Sequence, residues 1–100
     1  MNNSIQKLPA VRLQLLNEIQ GLFADGQLAV VRAEILCCRK VAFLRDLAAY
    51  IRIARRGGAS SAVIGFNVVH DLFQWRDPSV LPRTRGYAEK ERETPKKEIR

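Results

Sequence analysis

The residues able to do chemistry are few and poorly assembled. Cys37 and Cys38 are adjacent, and on a helix neighbouring side chains diverge by roughly 100°, so a mutual disulfide is geometrically poor. No CxxC pair or distant cysteine exists to complete a zinc site. The expected reading is two small buried hydrophobes in a reduced cytoplasmic protein, with Cys37 nearer the polar boundary and the more reactive of the two. His70-Asp71 has the residue types of an acid–base pair, but consecutive helical positions point apart, and no serine or cysteine stands at a spacing that completes a nucleophilic arrangement. A histidine at the solvent edge or across a dimer interface is the simpler expectation, and its protonation in mildly acidic solution would then weaken association. The sequence therefore reads as non-enzymatic, with no metal and no cofactor.

Arginines are the other candidates. Arg45, Arg52 and Arg56 share one helical face at spacings of seven and four, with Arg55 beside them. They form a basic ridge that ends at a glycine turn and at the start of the next helix, where unpaired N–H groups also favour anions. A solvated face is the plainest use of such a ridge. Nucleic-acid phosphates or an acidic protein surface are the binding alternatives. Arg55-Arg56-Gly57-Gly58 lacks the GK[ST] of a phosphate-binding loop, so a mononucleotide site is not expected. The layout of Ala48 to Arg56, a turn, and Ser61 to Trp75 resembles a helix-turn-helix, yet the second helix has no base before Arg76 and carries Asp71, which suits it badly to reading a major groove.

Helices must position these residues. The first starts near Pro9, a residue suited to a first turn, and runs with Leu8, Val11, Leu15, Ile19 and Leu22 on its apolar stripe until Ala24-Asp25-Gly26 ends it. From Gln27 to Arg56 there is neither glycine nor proline, which favours helix throughout, with a strand over 29–38 as the minor alternative. The buried face nevertheless changes side near Arg39 to Val41. Leu28, Val31, Ile35, Cys38 and Ala42 make one stripe, and Phe43, Leu44, Leu47, Ala48, Tyr50 and Ile51 another. Either two helices meet there, or one long helix is covered on different sides along its length.

A serine-capped helix then spans about Ser61 to Trp75. It bears Ala62, Phe66, Val69 and Phe73 on one side and Ile64, Val68, Leu72 and Trp75 on another, leaving Asn67, His70, Asp71 and Gln74 as a narrow polar strip. A short helix apolar on two sides must be covered on two sides, which three helices scarcely manage.

Charge and composition sharpen this. The chain has 100 residues and a formal net charge of +7. Residues 27–56 hold seven bases against two acids, whereas 57–77 hold Arg76 against Asp71 and Asp77. Residues 78–100 mix seven bases with four glutamates and three prolines, carry few large apolar side chains, and read as a flexible tail. No apolar run is long enough to span a bilayer, and residues 1–26 lack the pattern of a signal peptide, so a cytoplasmic location is expected.

The resulting expectation is an all-α bundle of three to four helices over residues 1–77, completed by dimerisation, with a charged tail over 78–100. Ile64, Phe66, Val68, Leu72, Phe73 and Trp75 are the expected dimer or partner interface. Function is then that of a regulator, adaptor or inhibitor acting through protein–protein contact, homodimeric, with a protein partner. The alternative is a nucleic-acid-binding accessory protein or transcriptional regulator using Arg45, Arg52, Arg55, Arg56 and the tail.

Overall fold

The computed structural model describes residues 3–92, with side chains from Lys7 onward, and every regular element among them is helical. α1 spans Asn3–Glu18, α2 Asp25–Cys37, α3 Val41–Arg56 and α4 Ser61–Gln74, with a further helical segment over 87–92. α3 is the central element. It packs along α1 and touches α4, while α2 bridges α1 and α4. Leu15 and Ile19, Val31 and Ile35, Leu44, Leu47 and Ile51, and Ile64, Val68 and Leu72 form one core and are almost wholly excluded from solvent. Stripes at three- and four-residue steps from four helices thus close on a single apolar centre.

The stretch from Gln27 to Arg56 is two helices, not one and not a strand. Cys38 and Lys40 adopt extended backbone (φ −80°, ψ 132° and φ −90°, ψ 96°), and this break is where the buried face changes side. Arg12 of α1 closes it by donating from Nη2 to the Cys38 carbonyl at 3.0 Å, which puts a cation at the negative end of α2. Cys38 is buried and Cys37 exposed, so only the second cysteine is the buried hydrophobe expected of both. Burial pushes the Cys38 thiol pKa up.

α1 differs from the expectation at both ends. Pro9 lies inside the helix, and Ala24-Asp25-Gly26 opens α2 instead of closing α1. The positive-φ glycine of the intervening turn is Gly21 (φ 83°), not Gly26. The turn after α3 is as read. Gly58 (φ 87°) lets Ala59 N–H reach the Ala54 carbonyl and its own N–H reach that of Arg55, each at 3.0 Å, a Schellman closure. Ser60 Oγ then accepts from Val63 N–H at 3.2 Å to start α4.

The domain does not end at residue 77. Residues 78–92 fold back over α3 and α4 and are held mainly by polar bonds, which is why counting apolar residues misses them. Asp71, assigned by spacing to a solvent strip, is buried, and its carboxylate accepts from Arg83 N–H (2.9 Å), Thr84 N–H (2.9 Å) and Thr84 Oγ1 (2.7 Å). Asp46 accepts from Ala88 N–H at 2.9 Å, and the Tyr87 ring stands edge-on to Tyr50 with centroids 5.1 Å apart. The remainder of the expected tail, 93–100, lies outside the described residues.

Asp71→Ala would leave three donors at or near the core without their acceptor. It should lower unfolding free energy by roughly 2–4 kcal/mol, whereas Asp77→Ala at an exposed turn should change it far less. Equilibrium denaturation of the two variants checks this.

Candidate functional site

The two expected surfaces fare differently once side chains are placed. Arg52 is the hub of an ion-pair network. Its Nε and Nη2 fork onto Glu91 at 2.7 and 2.6 Å, and its Nη1 reaches Glu18 at 3.1 Å. Arg55 pairs with Glu18 at 3.4 Å and donates to the Gln20 carbonyl at 3.1 Å, and Arg56 pairs with Glu91 at 3.3 Å. Arg45 is half-buried and makes no ion pair among the described residues. Two carboxylates from sequence-distant segments therefore occupy three of the four arginines. The double hydrogen bond from Arg52 holds the Glu91 carboxyl below its ordinary range, and the same bond raises the Arg52 guanidinium above its own.

The six expected interface residues also divide. Ile64, Val68 and Leu72 face the core. Trp75, half-buried at the end of α4, turns to Glu34, Lys40 and Arg76. Phe66 and Phe73 remain in solvent at 62% and 45% exposure. They lie on a line that the sequence reading did not single out, namely Val63, Phe66, His70 and Phe73 at steps of three, four and three. That is the spacing of a helix-pairing seam. His70 is half-buried on this line, its ring 6.4 Å from that of Phe66 and its Nδ1 3.3 Å from Asp71 Oδ1. Arg83 stacks over the same Phe66 ring at 5.6 Å.

α2 supplies the facing wall. Gly26, Val30, Ala33 and Cys37, at steps of four, three and four, are all exposed. Between the two helices runs an apolar trough in two adjoining depressions of about 290 Å³ each. One is lined by Leu22, Phe23, Gly65 and Phe66, the other by Gly26, Val30, Val31 and Phe73, and both share Gln27 and Val69. Gly65 shapes the floor, because a Cβ there would stand 3.2 Å from the Phe23 ring. α4 contributes no lysine or arginine to this face, and α2 contributes Arg32 against Asp25 and Glu34. On a chain of net charge +7, this face is mainly apolar, with Arg83 over Phe66 a cation at its edge.

Among the described residues, no three His, Cys, Asp or Glu side chains stand close enough to hold a metal ion. Among the described residues, no helix is long and apolar enough to cross a membrane.

The Arg52 hub carries a pH signature. A carboxyl whose pKa is lowered by folding adds stability above its unfolded value, about 4.3 for Glu, and loses it as pH falls through the folded value. Docking of 87–92 should therefore weaken below about pH 4.5, seen as loss of near-ultraviolet dichroism from the Tyr50–Tyr87 pair. Glu91→Gln should remove much of that pH dependence and cost roughly 1 kcal/mol at neutral pH, modest because the pair is partly solvated.

No family model, curated protein or solved structure matches this chain.

Proposed function

We propose that this chain is a small non-enzymatic helical interaction protein, a regulator or adaptor, that pairs with a second copy of itself through the α2–α4 face. The carrying observation is the apolar trough flanked by exposed Val30, Phe66 and Phe73. Isolated exposed apolar residues are ordinary, but a contiguous pair of helix faces is not.

A second copy suits this face better than a charged partner does. Like-charged molecules can approach only where their surplus charge is absent, and the surplus lies on other segments. Protruding rings beside a trough of matching character also permit a two-fold arrangement in which each copy's Phe enters the other's trough.

Light scattering on an eluting size-exclusion peak should give twice the chain mass at micromolar concentration. Phe66→Ser with Phe73→Ser should give the monomer with unchanged helical dichroism, raising the dissociation constant by at least about 100-fold. Arg55→Gln should leave the dimer intact. A wild-type monomer at 100 μM, or a double variant that still dimerises, overturns this reading.

A further inference from the structure

One end of the molecule gathers several cations around a half-buried ring. The break at Cys38–Lys40 meets the end of α4, so that Lys40 Nζ lies 5.5 Å and Arg76 Cζ 5.1 Å from the Trp75 ring centroid. Lys40 also donates to the Trp75 carbonyl at 3.2 Å, and Trp75 Nε1 donates to Glu34 at 3.4 Å. Arg39 is exposed and has no ion pair among the described residues. Arg12 enters from below, with a buried Nε that bonds to nothing among the described residues. Two acids stand near: Glu34, spread over Trp75 and a long 3.9 Å contact to Arg76, and Asp77, which follows Arg76 and accepts from Ser79. The first turn of α3 adds no acid and has no side-chain cap, so its positive end reinforces the field. The ridge at Arg52, Arg55 and Arg56 offers the opposite case, with its charge already matched by Glu18 and Glu91.

We infer that this corner binds single-stranded nucleic acid, with Trp75 as the platform for one base and Arg39, Lys40 and Arg76 as contacts to the flanking phosphates. An indole ring beside cations matches a ligand that alternates flat rings with phosphates. A base laid on the ring takes the place of a cation, and that cation moves to a phosphate. A duplex hides its base faces, and an acidic peptide makes no use of the ring.

Trp75 is the chain's one tryptophan and reports on its own site. Titrating the full chain with a 15-nucleotide oligothymidine should quench its fluorescence to saturation. Three phosphate contacts should weaken binding roughly 20-fold between 50 and 200 mM salt. Arg39→Glu with Arg76→Glu should weaken it at least about 10-fold, and Arg39→Glu alone, at an exposed position, should weaken it measurably while leaving the helical dichroism unchanged. Trp75→Phe, followed by anisotropy of a labelled oligonucleotide, should lose at least about fivefold from weaker stacking. Arg55→Gln should change nothing. Absence of quenching, equal quenching by polyglutamate or by a duplex of the same sequence, or insensitivity to Arg39→Glu would each overturn the inference.

Discussion

α4 carries large apolar side chains on two sides, and the folded chain has helices to cover one. Ile64, Val68 and Leu72 are wholly enclosed by α2 and α3, so the register of α4 is fixed by the core. Fixing that register obliges Phe66, two positions from Ile64 and Val68, and Phe73, next to Leu72, to point outward. Gly65 tightens the constraint, since a side chain there would crowd the Phe23 ring at 3.2 Å. The exposed rings are thus a consequence of how the core is satisfied. Their weight in function rests on α2 presenting a second uncharged wall beside them.

Charge is organised around the same division. Surplus basic groups lie on the α2–α3 break, on α3 and beyond α4, and the folded chain deals with them in two ways. On the outer face of α3, Glu18 and Glu91 converge on Arg52, joining the end of α1, the middle of α3 and the returning C-terminal segment. At the other break the cations are left against Trp75. A polar device of the same kind holds the 82–85 turn, where Asp71 gathers three donors. Carboxylates thus help to hold the last described turn and helix, and the helix, through Glu91, responds to acid in a way that the core does not.

Much of this was legible in the sequence. The stripes Leu15–Ile19, Val31–Ile35, Leu44–Leu47–Ile51 and Ile64–Val68–Leu72 define the core by spacing alone, and the switch of face near Arg39 marks a helix boundary that no glycine or proline announces. Arg55 to Ser60 gave the α3–α4 turn through residue types with one local use each. What stayed hidden depends on tertiary partners. Pro9 is tolerated within α1, and the start of α2 was mistaken for the end of α1 because Asp25-Gly26 suits either. Asp71 at a polar-looking position is buried because residues 83–84 return to it from sequence-distant chain. Likewise, Arg52, Arg55 and Arg56 share a helical face, but only the fold reveals that Glu18 and Glu91 meet them there.

Pairing through the α2–α4 face is tested most directly by contacts between copies. In an equal mixture of carbon-13-labelled and unlabelled protein, an isotope-filtered nuclear Overhauser experiment detects only protons of different chains. The paired faces predict cross-peaks from the Phe66 and Phe73 ring protons of one copy to the Val30 and Val69 methyls of the other. Absence of intermolecular cross-peaks at a concentration where the wild type should be dimeric, or cross-peaks from the outer faces of α1 and α3 instead, would contradict it.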